Sequence, residues 1–177
     1  SQPFWVVLQL APFVFIALQG LEPVRDWTGY TGLFGPVDHG FDVALFGLCS
    51  AVVFSLAAQI GEQVDYLRFL PRKTAQNRVR WWVALLSAGP GWIVIGGLKI
   101  LAGSFLAFYA FRNGVAFEDA SDPTQMYLTV FGQMLGSPEF ALGLTGIFVV
   151  ICQVKINVTN TYAGSIAWSN FFSRLTH

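Results

Sequence analysis

Residues 152–165 read CQVKINVTNTYAGS and interrupt an apolar run, with ALGLTGIFVVI before them and IAWSNFF after. Gln153, Asn157 and Asn160 each carry an amide that donates and accepts hydrogen bonds. Such groups suit the edge of a nucleobase or a similar nitrogen heterocycle, where donors and acceptors also alternate. Thr159 and Thr161 add hydroxyls, and Lys155 adds a cation. On a helix Gln153, Asn157, Asn160 and Gly164 share one face by their i, i+4, i+7, i+11 spacing. Lys155, Thr159, Tyr162 and Ser169 share a second face. A polar sector of this kind is expensive against lipid and is expected to face a protein core or a water-filled cavity. Asn, Gln and Thr also serve as hydrogen-bonding glue between membrane helices. Their density here, with a lysine among them, favours a ligand pathway.

Lys155 has two readings. At bilayer depth a lysine costs roughly 2.5–3.5 kcal/mol on insertion scales, so something must compensate. It is either a structural cation paired with a carboxylate on a neighbouring span, for which Glu62 is best placed by depth, or a charge that replaces or titrates in place of a transported cation. The two are compatible. Gln59, Glu62 and Gln63 break the apolar pattern of the segment that holds them, and Gly61 weakens its helix. Asp65 and Arg68 form an i, i+3 pair expected at the membrane boundary. Lys99 is a lone charge in another apolar run, expected to face the protein interior. His39 and His177 read as loop residues.

The elements that must position these residues are long apolar helices. Four segments approach or exceed the ~20 residues a bilayer requires: 4–20, which is slightly short, 41–64, 81–111 and 140–172. A short amphipathic stretch, 124–135, is expected as an interfacial helix before the last of them. No run alternates with period two, so strands are not expected. SAGPG at 87–91 predicts a kink in the third span, and Gly96, Gly97 and Gly103 predict close helix contact there. The fold class is therefore all-α, polytopic and transmembrane, a single region over 1–177.

Charge gives the orientation. Arg68, Arg72, Lys73, Arg78 and Arg80 stand in 68–80 without an acid, which places the loop at 66–80 in the cytoplasm. Segment 21–40 has Glu22, Asp26 and Asp38 against Arg25, and segment 112–123 has Glu118, Asp119 and Asp122 against Arg112. Both are expected outside, so the four spans alternate consistently.

Composition agrees. The chain is 54% hydrophobic, 16% aromatic and only 11% charged, whereas soluble domains carry about 25% charged residues. A formal net charge of zero gives no argument for nucleic acid. Cys49 and Cys152 lie in apolar runs and define neither a disulfide framework nor a metal site. No nucleophile–base pair or phosphate loop stands out, so neither enzyme chemistry nor a cofactor is expected. The chain opens directly into an apolar run and ends at SRLTH, which reads as an internal piece of a longer membrane protein or a chain trimmed at both ends.

Two stretches carry a resemblance. AAQIGEQVDYLRFLPRK, followed about ninety residues later by QVKINVTNTYAGSIAWSNFFSR, resembles the purine/cytosine permease family, the nucleobase–cation symporters. DYLRF is similar to that family's Asp-aromatic-x-Arg-aromatic element at the cytoplasmic end of the sixth helix. The Asn/Thr-rich stretch is similar to its eighth helix, and DPTQMYL (122–128) to the loop before it. The resemblance implies helices five to eight of a LeuT-like fold with two inverted five-helix repeats, in a bacterial inner membrane. It implies a site at the midplane lined by Phe54, Gln59, Gln153, Asn157, Asn160 and Thr161, with Phe54 stacking on a flat ring. The implied function is alternating-access transport of a small purine, pyrimidine, hydantoin or allantoin-like molecule, together with the remaining helices. Where sodium-coupled relatives place small hydroxyl residues on helix eight, this sequence has Lys155 and Ile156. An ammonium there would repel Na⁺, so transport is expected to be proton-linked or facilitative. A transporter-like sensing or scaffold module that binds without transporting is the alternative.

Overall fold

The computed structural model describes residues 2–31, 41–55, 64 and 67–172, apart from a few helical side chains. Gln59 and Glu62 lie outside these residues, as do Gly61, Gln63, Asp65, His39 and His177. The described residues form helices and connecting turns, with no strand among them. The chain divides into two compact units, residues 1–30 with 100–177 and residues 31–99.

In the first unit, α1 (Gln2–Gln19) and α2 (Glu22–Thr28) meet at a bend of 103°. The bend turns at Gly20, whose φ of 134° only glycine adopts without strain. Pro23 then stands in the first turn of α2, where a missing N–H costs nothing. The second half of α5 (Gly91–Arg112) belongs to this unit, with α6 (Phe117–Ala120), α7 (Pro123–Leu135) and α8 (Pro138–Phe171). Asp122 starts α7 by accepting the Thr124 amide at 2.8 Å, with Pro123 next in line. Gly136, at φ 61°, ends it in the left-handed conformation typical of a helix terminus. The helix found at 123–135 thus matches the expected amphipathic stretch. Its apolar side, Met126, Tyr127, Val130 and Phe131, is buried. These side chains join Leu8 and Ile16 of α1, Phe105, Leu106 and Tyr109 of α5, and Ala141 and Phe148 of α8 in one core. Phe131 meets Phe148 edge to face at 6.5 Å, and Tyr127 lies 4.5 Å from Phe148.

In the second unit, α3 (Val43–Ser55) begins where the Asp42 carboxylate accepts the Leu45 amide at 2.9 Å. α4 (Arg78–Ala88) follows a compact turn at 70–77 and ends at Gly89. The expected kink at 87–91 is a full interruption, so 81–111 divides between α4 and α5. Backbone crowding explains the residue types. A Cβ at Gly89 would stand 2.8 Å from the Leu85 carbonyl oxygen, and one at Gly91 2.7 Å from that of Leu86. By contrast, a Cβ at Gly96, Gly97 or Gly103 meets nothing within 4 Å, so the close contact expected there is not made among the described residues.

Two helical stretches, Ile93–Arg112 and Pro138–Phe171, are long and apolar enough to cross a membrane, and α1 with α2 makes a third if the bent pair is one span. Only 28% and 17% of their most apolar windows are buried within the chain. Large side chains such as Leu98, Ile100, Leu142 and Val150 are correspondingly exposed. Surface of that extent and character suits lipid or further apolar helices far better than water.

Candidate functional site

The 34 residues of α8 span about 51 Å at 1.5 Å per residue, well beyond a ~30 Å hydrocarbon core. Its first half buries Ala141, Thr145 and Phe148 against the rest of the unit. Its second half carries the polar sector as one unbroken helix.

That sector sorts into two kinds of group. Three hydroxyls, those of Thr159, Ser165 and Ser169, turn back on their own helix. Thr159 Oγ1 donates toward the carbonyls of Ile156 at 2.9 Å and Lys155 at 3.1 Å. Ser165 bonds the Tyr162 carbonyl and Ser169 that of Ser165, each at 2.8 Å. A hydroxyl satisfied this way costs little in an apolar setting. The amides of Gln153, Asn157 and Asn160 are exposed, as is Thr161, and none of the four side chains has a hydrogen-bond partner among the described residues. They keep their donors and acceptors open along one side of the helix.

Lys155 is half-buried, and its Nζ stands 3.5 Å from the centre of the Trp5 ring on α1. The same indole donates its N–H to Cys152 Sγ at 3.2 Å. Trp5 therefore bridges two residues one turn apart on α8, and it is the one member of this cluster that sequence reasoning missed. An aromatic ring near the start of an apolar helix reads as lipid contact until the fold sets it over a cation. The carboxylate expected for Lys155, Glu62, lies outside the described residues, as does Gln59. Phe54 is on α3 in the second unit and is 75% exposed.

A second polar cluster sits at the other end of α1. The Tyr109 hydroxyl lies 2.5 Å from Gln133 Oε1 and 3.3 Å from Gln19 Oε1. Gln133 Nε2 donates to Asn113 Oδ1, and Asn113 Nδ2 to the Tyr109 carbonyl, both at 2.8 Å. Arg112 pairs with Asp26 at 3.1 Å across the hollow bounded by Gln19, Glu22, Tyr109 and Asn113. In sequence these amides mark helix ends, and nothing in their spacing announces that three helices bring them together. Nearby, Tyr127 donates to the Gln9 carbonyl at 3.3 Å. Burial, and secondarily the neighbouring Cys152 thiol, push the Tyr127 phenol up to about 12.

Among the described residues no three of His, Cys, Asp and Glu converge as a metal site would require. The amides of Gln153, Asn157 and Asn160 form an exposed row on one face of α8, while Lys155 lies on the other side of that helix against Trp5. Comparison of the chain with protein-family models, with curated proteins and with solved structures returns no match.

Proposed function

We propose that this chain belongs to an α-helical secondary transporter, a permease that moves nucleobases or related nitrogen heterocycles by alternating access. The observation that carries the reading is the division of labour on α8. The hydroxyls of Thr159, Ser165 and Ser169 are spent on the helix itself, while Gln153, Asn157 and Asn160 hold their amides open in a helix apolar enough to cross a bilayer. An amide left unpaired against hydrocarbon costs several kcal/mol, about as much as a charged residue at that depth. A polar ligand, or the helices that enclose it, relieves that cost. The motif resemblance to purine/cytosine permeases supports the same substrate class.

In this reading Gln153, Asn157, Asn160 and Thr161 hydrogen-bond the substrate. Lys155 stands in for the coupling cation, and transport runs without Na⁺. The membrane is a bacterial inner membrane, the four spans alternate across it, and loop 66–80 is cytoplasmic. A binding and uptake screen of purines, pyrimidines, hydantoins and allantoin tests the proposal. Uptake of at least one class is expected to persist when choline replaces Na⁺, and Asn157→Ala is expected to weaken it at least about tenfold, the scale of one or two lost hydrogen bonds to a desolvated ligand. Strict Na⁺ dependence removes the role given to Lys155. Absence of binding across all four classes removes the substrate assignment.

A further inference from the structure

The turn before α4 is built more firmly than a connection between helices requires. Asn77 Oδ1 accepts the Thr74 amide at 2.7 Å, and Thr74 Oγ1 accepts the Asn77 amide at 3.3 Å. Asn77 Nδ2 donates to the Arg72 carbonyl at 2.9 Å, and Trp81 Nε1 donates to the Pro71 carbonyl at 2.9 Å. Lys73 lies with Nζ 5.2 Å from the centre of the Trp81 ring and 4.8 Å from that of Trp82. The two indoles meet edge to face at 5.3 Å. Side chains at three positions, Thr74, Asn77 and Trp81, thus hold one backbone shape.

Its charges divide as the polar groups of α8 do. Lys73 is committed to the indoles. Arg72, Arg78 and Arg80 are exposed, and no carboxylate pairs with any of the three among the described residues. The Asn77 bond keeps the Arg72 backbone beside the residue that precedes Arg78, so the Arg72 and Arg78 positions lie at one turn at the start of α4. Arginine offers a planar fork that matches two phosphate oxygens at once. Tryptophan settles at the headgroup level of a bilayer.

We propose that Arg72, Arg78 and Arg80 form a binding site for the phosphodiester headgroup of an anionic phospholipid. Trp81 and Trp82 seat the lipid at the interface, and the Asn77–Thr74–Arg72 bonds with the Lys73–indole contact hold the platform. The occupant follows from charge complementarity, since 68–80 carries five cations and no acid. A polybasic segment beside a membrane helix draws anionic lipid in the same way. The inference rests on the membrane reading of the chain and is independent of what, if anything, is transported.

Native mass spectrometry of the whole protein in neutral detergent, titrated with phosphatidylglycerol or with phosphatidylcholine of the same acyl chains, tests it. Phosphatidylglycerol is expected to bind at least about tenfold more tightly, with the preference shrinking as salt rises. Each of Arg72→Gln, Arg78→Gln and Arg80→Gln is expected to cost about fivefold, the weight of one cation near an anionic surface. Asn77→Ala keeps every charge and is expected to weaken binding through loss of the platform. Melting of the wild-type protein in nanodiscs of each lipid gives a readout free of variants, expected to be higher with phosphatidylglycerol. Equal affinity for the two lipids, or full binding by the triple Gln variant, overturns the proposal. Competition by soluble glycerol phosphate at lipid-like concentrations overturns the lipid assignment in favour of a free phosphate site.

Discussion

Lys155 sets its ammonium over the Trp5 indole, a contact worth about 0.5–2 kcal/mol depending on desolvation. A lysine at bilayer depth costs roughly 2.5–3.5 kcal/mol, so the indole offsets part of the penalty and the position remains an investment. Replacing it with the uncharged, similarly long side chain in Lys155→Met is expected to leave the melting temperature in detergent unchanged or higher, while uptake falls at least about tenfold. Trp5→Leu is expected to do the opposite to stability, lowering it by about 1–2 kcal/mol through loss of both the ring face and the N–H to Cys152. Tyr127 gives a second expectation. Its phenol holds its proton up to about 12 in the folded protein, against the usual 10 when the chain unfolds. Between those values the folded state binds more protons, so stability is intact below pH 10 and declines as pH rises toward 12. Thermal melts across that range, followed with tyrosinate absorbance, check the sign, and Tyr127→Phe is expected to flatten the decline. The amides of α8 were legible in the sequence because their spacing alone puts them on one face. Trp5 was not, because its partner is 150 residues away and only packing brings the two together.

At the scale of elements, the interruption between α4 and α5 depends on two glycines. Gly89→Ala and Gly91→Ala each drive a Cβ to within 2.8 Å or less of a carbonyl oxygen that a rigid helix end cannot move aside. Each is expected to cost about 1–3 kcal/mol in chemical or thermal unfolding. Gly96→Ala and Gly103→Ala meet open space and add helix propensity, so within this chain they are expected to be neutral or slightly stabilising. If either instead weakens the protein by more than about 1 kcal/mol, a neighbouring helix occupies that space, which is the close contact the glycine pattern suggested. Helix existence was readable from composition, and the ends of α7 from its Asp-Pro start and glycine stop. The break at Gly89 was readable as a kink, but its degree was not, since a proline with flanking glycines is compatible with both outcomes.

At the scale of the whole molecule, two long apolar helices with most of their span uncovered are consistent with a membrane protein, and charge supplies the four-span orientation proposed for it. Single cysteines on a background freed of Cys49 and Cys152 test that orientation in intact cells. Ala75→Cys is expected to resist a membrane-impermeant maleimide until the cells are opened, and Asn113→Cys or Glu118→Cys to react at once; the reverse pattern inverts the topology. The residues that carry the motif resemblance divide between the polar face of α8 and the stretch around 59–66, and the latter lies largely outside the described residues. One feature of the first unit bears on motion. Near Trp5, α1 is fastened to α8 through Cys152 and Lys155; near Gln19 it is tied to α5 and α7 through Tyr109 and Gln133. A rod anchored at opposite ends to different neighbours acts as a strut. Any rocking of α8 must snap one anchor or haul α1 with it, and the 103° elbow at Gly20 would turn that haul into a sweep of α2.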